Sequence, residues 1–244
     1  MRYGIFSDVH SNLEALNKVL EDSKKENIDN FICLGDLVGY GANPNECVEL
    51  IRSLNPVIVA GNHDCAVVNR INSRGFNKWG KEAILWTQKK ILSANESFLK
   101  ELKLLQDYND FTLVHASPYF PEKWFYVITV EDIIRCFLNF KNWICFVGHS
   151  HRPFVFELNP NNLYNSNIFL SGEVVLKKEM RYVISAGSVG QPRDGNSKAC
   201  YFVYDSDSKT IKITRLEYDY ELTQRKILNA GLPGFLAERL GSGK

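Results

Sequence analysis

The sequence predicts an α/β (α+β) fold. Five short apolar runs, rich in β-branched and aromatic residues, indicate buried strands at residues 3–6, 31–34, 57–60, 111–114 and 144–147. Segments with apolar residues at helical spacing follow several of these runs. After residue 151 the pattern changes to short alternating runs, which are typical of antiparallel strands joined by turns.

The helices of the first half are predicted between these strands. The first follows Ser11, which we expect to be its N-cap, and the second begins at Pro44 after a capping Asn43. The third covers about residues 76–104 and is expected to break near residues 93–96. Their apolar faces are expected to be buried.

The second half is expected to contain further helices at residues 130–139 and 220–229. The alternating runs predict strands at residues 153–158, 168–176, 181–185, 199–205 and 209–217. No linker, low-complexity segment or repeat divides the sequence. We therefore expect a single domain over residues 1–244.

Composition narrows the classes of function. With 45% hydrophobic residues, the chain of 244 residues can bury a sizeable core, and its formal net charge of +1 does not indicate a nucleic-acid partner. The six cysteines form no Cys-x-x-Cys pair, so we expect a reducing, cytoplasmic location and no disulfide framework. Neither a signal peptide nor a run of about 18 apolar residues is present, so we expect no membrane partner.

All five histidines lie in short polar clusters that follow predicted strands. The clusters, one of which has Asp36 in place of a histidine, are Asp8-Val9-His10, Gly35-Asp36, Gly61-Asn62-His63-Asp64, His115-Ala116-Ser117 and Gly148-His149-Ser150-His151. A single histidine after a strand is most often structural, but such a placement of all five is hard to explain by chance. Since the carboxyl ends of strands are where α/β sheets build their sites, the pattern predicts a metal centre.

The donor atoms of these clusters suit two metal ions. Seven residues offer mixed nitrogen and oxygen donors, more than one tetrahedral ion needs: Asp8, His10, Asp36, Asn62, His115, His149 and His151. Two ions about 3.5 to 4 Å apart can clamp the oxygens of an in-line phosphoryl displacement and lower the pKa of a bridging water. His63 remains, and it could protonate the leaving oxygen.

This constellation resembles the calcineurin-like metallophosphoesterase superfamily. The motifs D-x-H, G-D, G-N-H-[DE], a later H and G-H-x-H all stand in order between residues 8 and 151. The resemblance implies a four-layer sandwich of two packed mixed β-sheets flanked by helices. The sequence segments Gly35–Gly41 and Gly187–Gly195 are similar to those of a bacterial and archaeal subgroup of predicted phosphoesterases, or phosphodiesterases.

The resemblance also implies a role for each site residue. One metal would be bound by Asp8, His10 and His151, the second by Asn62, His115 and His149, with Asp36 as the bridge and His63 as the catalytic histidine. The cofactors would be two divalent transition-metal ions, with Mn, Fe, Zn, Co and Ni all compatible with these ligands.

The implied activity is hydrolysis of phosphodiesters or phosphomonoesters by a metal-bridged hydroxide, with His63 assisting the leaving group. The substrate would be a small phosphoester, with nucleotides among the candidates, and a homo-oligomer stays open. Dinucleoside polyphosphate hydrolysis, protein phosphatase activity and a non-catalytic binding scaffold are the alternatives. The intact His63 and complete ligand set argue against the scaffold.

Two departures make a phosphoprotein substrate less favoured. Protein phosphatases of the superfamily carry G-D-x-V-D-R-G, where this chain has Gly39 and Tyr40 in place of the Asp and Arg. They also carry an Arg before G-N-H-E, where this chain has Ala60.

Two features near the predicted site admit alternative interpretations. Arg193 lies in a Gly- and Pro-rich turn, where it could bind a substrate phosphate or only shape the turn. The aromatic loop at residues 119–126 could stack a nucleobase, although core packing or a dimer contact is the favoured interpretation.

Overall fold

The computed structural model describes residues 1–161 and 166–244. The strands of the described residues are β1 (Arg2–Phe6), β2 (Asn30–Cys33), β3 (Val57–Ile58), β4 (Leu105–Tyr108), β5 (Phe111–Val114), β6 (Ile144–Val147), β7 (Pro153–Leu158), β8 (Ser166–Phe169), β9 (Gly172–Val175), β10 (Arg181–Ala186), β11 (Ala199–Asp205) and β12 (Thr210–Leu216). The α-helices are α1 (Leu13–Lys25), α2 (Pro44–Ser53), α3 (Asn62–Val67), α4 (Lys78–Lys90), α5 (Ser93–Glu101), α6 (Val130–Phe137), α7 (Tyr220–Asn229) and α8 (Gly234–Glu238). Short 3₁₀ turns lie at Ser73–Gly75, Pro121–Lys123 and Arg239–Ser242.

The strands form two mixed sheets. The first has the order β3-β2-β1-β11-β12-β9 and the second β4-β5-β6-β10-β7-β8. In the first sheet β1, β2 and β3 are parallel, and in the second β5, β6 and β10 are parallel. Antiparallel strands complete each sheet. The polar clusters that follow β1, β2, β3, β5 and β6 are thus at the carboxyl ends of parallel strands, where such sheets carry their sites.

Three apolar layers hold the sheets and helices together. The inner faces of the two sheets meet through buried side chains such as Ile5 and Ile32 on one side and Phe146 and Ile184 on the other. The outer face of the first sheet packs against α1 and α2, and that of the second packs against α6. Alternate strand residues therefore point into different layers, which explains why the runs are apolar throughout. The predicted four-layer sandwich is confirmed.

Several predicted elements agree closely with the structure. The bounds of β5, β6, β7, β11 and α7 are those expected from the sequence. All six cysteines are free and buried, as expected for a chain without a disulfide framework. No helix in the described part of the chain is both long and apolar enough to cross a bilayer.

The expected N-cap of the first helix was wrong by one residue. Asn12, and not Ser11, caps α1, because its side-chain oxygen accepts a hydrogen bond from the backbone N–H of Ala15 at 3.1 Å. Ser11 has a φ of +54°, a left-handed conformation that does not suit an N-cap.

The segment at residues 76–104 also differs from the prediction. It forms α4 and α5 with a break at residues 91–92, slightly before the expected one, and strand β4 follows. The short helices α3 and α8 were not predicted, and the third strand ends at Ile58. The strands after residue 151 are not all antiparallel to their neighbours, since β10 pairs in parallel with β6.

Candidate metal centre

The structure brings the seven predicted metal ligands and the predicted catalytic histidine to one place, at the carboxyl ends of the parallel strands. Their side chains are all buried: Asp8, His10, Asp36, Asn62, His63, His115, His149 and His151. Turns after four strands and the start of α3 after a fifth supply them, and those strands belong to both sheets. The site therefore exists only because the two sheets pack with these ends together.

The candidate ligand atoms form two groups. One group contains Asp36, and the other lies beside it. Atoms of Asp8, His10 and His151 lie within 4.8 Å of one another, and so do atoms of Asp36, His115 and His149. Asp36 also lies this close to both His10 and His63. Its Oδ2 atom is 3.6 Å from His10 Nε2 and 3.3 Å from His115 Nε2, so one carboxylate reaches both groups.

Three histidine rings are held so that Nε2 faces the site. In each ring the Nδ1 atom lies at hydrogen-bond distance from a backbone carbonyl oxygen, to which it donates. The pairs are His10 with Val38 at 3.1 Å, His115 with Leu34 at 2.7 Å and His151 with Gln191 at 2.5 Å. This bond fixes the proton on Nδ1 and leaves the Nε2 lone pair available for a metal ion.

Several buried side-chain oxygen and nitrogen atoms of the site have no hydrogen-bond partner among the described residues. They include Asp8 Oδ1, Asn62 Oδ1 and His115 Nε2. Burying such atoms without a partner is costly, and groups of this kind are normally satisfied by a ligand or an ion. Imidazole nitrogens mixed with carboxylate and amide oxygens suit divalent transition metals. The residues present therefore fit a metal centre.

The ionisable groups of the site are buried close together and shift one another's pKa values. Burial would raise the pKa of Asp8, but His151 and His10 beside it hold that pKa well below its usual range. Burial would lower the pKa of His115, whereas the Asp36 carboxylate raises it to about 9. Asp8 and Asp36 are therefore ionised at neutral pH, as metal ligands must be, whereas His115 holds a second proton that a bound metal ion would displace from Nε2.

The turns that carry the ligands have unusual backbone conformations. Five of the residues occupy the left-handed region, with φ values of +54° at Asp8, +48° at His10, +53° at Asp36, +62° at His149 and +57° at His151. This conformation costs a residue other than glycine about 1–2 kcal/mol. Such strain is characteristic of functional sites and persists only where surrounding contacts enforce it.

Asp64 makes some of these contacts, although no role for it was predicted from the sequence. Its two carboxylate oxygens accept hydrogen bonds from the backbone N–H groups of Asp36, Leu37, Val38 and Gly61, at 2.8 to 3.3 Å. It thereby fixes the turn that presents Asp36. Its position directly after His63 in the G-N-H-D motif was the available signal.

The loop after β10 supports the Asp8 turn in a similar way. Ser188 Oγ and the Gly190 N–H both donate to the Asp8 carbonyl oxygen, at 2.8 and 2.9 Å. A Cβ atom on Gly190 would lie 1.9 Å from the carbonyl oxygen of Val9, so the close approach requires glycine.

His63 sits in an aromatic surrounding beside the ligand groups. Its ring lies 4.4 Å from that of Tyr40 and 4.9 Å from that of Phe76, between ring centroids. Burial holds the pKa of His63 well below its usual value, and its Nδ1 has no partner among the described residues. A Cβ atom on Gly39 would lie 2.4 Å from that Nδ1, so Gly39 leaves the space that the ring occupies.

Gly39→Ala is therefore expected to displace His63. The added methyl group would overlap the ring, and φ of +91° at Gly39 would add backbone strain. We expect a lower melting temperature and a fall in turnover of at least about tenfold, because small displacements of catalytic groups have large effects. Gly172→Ala is the control, since its φ of +83° brings similar backbone strain while no atom lies within 4 Å of a Cβ there. Equal turnover of the two variants would contradict this role of Gly39.

A cleft of about 390 Å³ opens onto the site. Its lining includes Asp36, Asn62, His63, His149 and His151, together with Tyr40, Phe76, Trp124, Tyr126 and Arg193. Tyr126 stacks on His149, with the ring centroids 4.1 Å apart. Phe120, Phe125 and Tyr126 of the aromatic loop are exposed and do not pack in the core, so of the favoured interpretations a dimer contact stays a prediction for them. Phe120 and Trp124 have left-handed backbone conformations, and the loop turns across the cleft at these residues.

Arg193 lies at the cleft, as its candidate role requires. Its Nε and Nη2 atoms donate to Gln191 Oε1 at 3.2 and 2.8 Å, and its guanidinium lies 5.7 Å from the centroid of the Tyr40 ring. The carbonyl oxygen of Gln191 also accepts the hydrogen bond from His151. One residue thus positions both a candidate metal ligand and the arginine.

Comparisons with known proteins agree with this geometry. Residues 1–209 match the family model of the calcineurin-like phosphoesterase superfamily domain. The chain is 46% identical to an uncharacterized protein of Methanocaldococcus jannaschii, over 98% of this chain and 97% of that protein. The crystal structure of a metallophosphoesterase from Sphaerobacter thermophilus superposes on this chain with a TM-score of 0.88. The two sequences are 36% identical, and the match covers 100% of this chain and 99% of that one. A hypothetical protein from Pyrococcus horikoshii OT3, 20% identical over 100% of this chain and 98% of that one, shares the fold with a TM-score of 0.79.

Proposed function

Because the chain belongs to the calcineurin-like phosphoesterase superfamily, we propose that it hydrolyses small phosphoesters at a centre of two divalent metal ions. The observation that carries the proposal is the buried Asp36, whose carboxylate lies within reach of both ligand groups. A carboxylate so placed can hold two cations and offset their mutual repulsion. A site for a single ion would not need ligand atoms on both sides of Asp36.

Each group would hold one ion. Asp8, His10 and His151 would bind the first and Asn62, His115 and His149 the second, with Asp36 binding both. When bound, such ions polarise a phosphoryl group and lower the pKa of nearby water. The three carbonyl-bound histidine rings contribute orientation, because their Nε2 atoms are aimed before any ion arrives.

His63 would act on the substrate. Its ring lines the cleft between Tyr40 and Phe76 and adjoins Asp36. From there it can donate a hydrogen bond or a proton to the leaving oxygen, which contributes typically about 10²- to 10⁴-fold in rate. Arg193, on the same cleft, would bind an anionic group of the substrate.

The cleft favours a small ester over a phosphoprotein. Phe76 and Tyr126 belong to different loops that both line it, so a substrate enters between two walls. A leaving group with a flat ring could pack against these aromatic side chains. Gly39 and Tyr40 occupy the positions where protein phosphatases carry the Asp and Arg of their motif.

Metal loading and a substrate panel test the proposal. Protein saturated separately with Mn, Fe, Co, Ni or Zn and then desalted is expected to retain about two ions per chain by elemental analysis. It should turn over an aryl phosphodiester or phosphomonoester faster than a phosphopeptide. A stable content near one ion, or none, would contradict the dinuclear centre, and a clear lead for the phosphopeptide would contradict the substrate class.

A further inference from the structure

One wall of the cleft is formed by uncharged residues. Among the described residues that line the cleft, those of the segment 71–77 are Ile71, Asn72, Gly75, Phe76 and Asn77. Other segments supply the acidic and basic side chains of the lining apart from the histidines, which are Asp36, Glu122, Lys123 and Arg193. An anionic group buried against the 71–77 wall would have no charged partner there, so this wall suits an uncharged part of the substrate.

The Phe76 ring is held beside the predicted catalytic histidine. Its centroid lies 4.9 Å from that of the His63 ring. The side chain is half-buried and packs against the apolar core under α1 and α2. The Phe76 N–H donates to the Ser73 carbonyl oxygen at 3.1 Å, which fixes the backbone after the 3₁₀ turn at Ser73–Gly75. A flat apolar surface is therefore placed next to the group that would protonate the leaving oxygen.

Two asparagines flank Phe76 in the sequence, and both use their amide oxygens within the segment. Asn72 Oδ1 accepts from the Arg74 N–H at 2.8 Å, and Asn77 Oδ1 accepts from the Gly80 N–H at 2.9 Å. Because a backbone N–H only donates, these bonds identify the oxygen end of each amide and leave the NH₂ group for another partner. Within residues 1–161 and 166–244 neither NH₂ group donates to a protein atom, and both side chains are exposed and line the cleft.

The position of His63 decides which part of the substrate meets this wall. In the proposed reaction His63 acts on the leaving oxygen, so the leaving group lies on the side of the cleft where the Phe76 ring is. An aromatic ring there would gain a ring–ring contact in addition to burial. The NH₂ groups beside it would donate to ring nitrogens or carbonyl oxygens on the edge of such a ring. The cleft volume of about 390 Å³ lies in the range of small-ligand sites, about 300 to 1,000 Å³.

We propose that Asn72, Phe76 and Asn77 form a subsite for the leaving group of the substrate, which selects an uncharged flat ring with hydrogen-bond acceptors on its edge. The preferred substrates are then phosphoesters whose leaving group carries a heteroaromatic ring, the chemical class that includes nucleosides. This inference rests on the proposed function, which places the phosphoryl group at the metal centre and His63 at the leaving oxygen.

Three phosphonates with the same anchoring group test the subsite. They are 2-cyclohexylethylphosphonate, 2-phenylethylphosphonate and 2-(pyrimidin-5-yl)ethylphosphonate, which differ only in a ring that is puckered, flat, or flat with two acceptors. Calorimetry on the metal-loaded protein is expected to show the phenyl ligand binding about threefold more tightly than the cyclohexyl ligand. The pyrimidine ligand should bind about threefold more tightly than the phenyl ligand, because two hydrogen bonds outweigh the better hydration of its nitrogens.

Phe76→Leu tests the flat surface. Leucine keeps an apolar side chain but removes the ring, so the phenyl and cyclohexyl ligands should bind with affinities equal to within about 1.5-fold. Phe125→Leu is the matched control, since Phe125 is exposed on the aromatic loop and is not among the described residues that line the cleft. That variant should keep the threefold preference of the wild type. Melting curves establish that each variant is folded.

Asn72→Asp and Asn77→Asp test the donors. Aspartate has the same shape and keeps the oxygen that accepts from the backbone, but it has no NH₂ group. The added negative charge weakens all three phosphonates alike, so the comparison is between the rings. In each variant the phenyl ligand should bind at least as tightly as the pyrimidine ligand. Asn69→Asp makes the same change at an exposed residue outside the cleft lining and should keep the wild-type order.

The outcomes distinguish the subsite from the underlying function. Equal affinities of the phenyl and cyclohexyl ligands for the wild type, or tighter binding of phenyl than of pyrimidine, would overturn the subsite. Equal effects of Phe76→Leu and Phe125→Leu would do the same. If Phe76→Leu does not fold, the wild-type order and the two aspartate variants still decide the question. Failure of the proposed function would look different, since metal loading would not tighten the binding of any phosphonate and 4-nitrophenyl phosphate would not be hydrolysed.

Discussion

His63→Asn is expected to keep both metal ions and to lower the turnover of alkyl phosphoesters by about 10²- to 10⁴-fold. His63 packs between Tyr40 and Phe76 and lines the cleft, so its loss removes a group aimed at the substrate. The loss should be smaller for 4-nitrophenyl esters, because nitrophenolate needs little protonation to leave. Elemental analysis and initial rates on the two kinds of ester measure both effects.

The control for this variant is His149→Asn, made at a candidate ligand. His149 belongs to the group with Asp36 and His115, so its replacement should lower metal content as well as turnover. His63 also lies within 4.8 Å of His10 and Asp36, which gives the experiment a clear alternative. Metal loss in His63→Asn would identify His63 as a ligand, and wild-type turnover of alkyl esters would remove its catalytic role.

Asp36→Asn is expected to lower metal content and activity together. The affinity for metal and the turnover rate should each fall by at least about 100-fold. Replacing residues that only support a ligand typically costs about 10- to 100-fold, and Asp36 would bind both ions itself. The amide also loses the negative charge that offsets the repulsion between two dications. Metal titrations of both the wild type and the variant measure the change.

Asp22→Asn provides a matched control for that variant. Asp22 accepts a hydrogen bond from the Tyr201 hydroxyl at 2.7 Å, away from the site, so the same chemical change there should leave metal binding intact. Full metal content together with full activity in Asp36→Asn would be incompatible with a bridging carboxylate.

The sequence was sufficient to predict the strands that carry the site. Continuous apolar runs marked β1, β5 and β6, because strands buried on both faces cannot show alternation. The polar cluster after each run located the candidate ligands, since a tight turn leaves its side chains at the carboxyl end of the sheet. Local patterns therefore placed these residues at the ends of strands, while their meeting in one site depends on how the two sheets pack.

Other features depend on contacts between distant parts of the chain. The short helix α3 begins at Asn62 within the ligand motif, and a six-residue helix has too few turns to show a period. The position of Tyr126 over His149 depends on the left-handed turn at Trp124, for which no sequence signal is available. The packing of Leu236 and Leu240 against Tyr40 joins residues about 200 positions apart in the sequence, which no local pattern reveals.

The left-handed turns at the ligands bear on any attempt to transplant this centre into another protein. A foreign sheet could be given the same ligand residues, such as Asp8, His10 and Asp36. It would still lack the contacts that hold the backbone in these turns, which here are the hydrogen bonds of Asp64 and of the loop at Ser188 and Gly190. A designer would have to graft those supports as well, or the recipient would relax to ordinary turns and point its ligands apart.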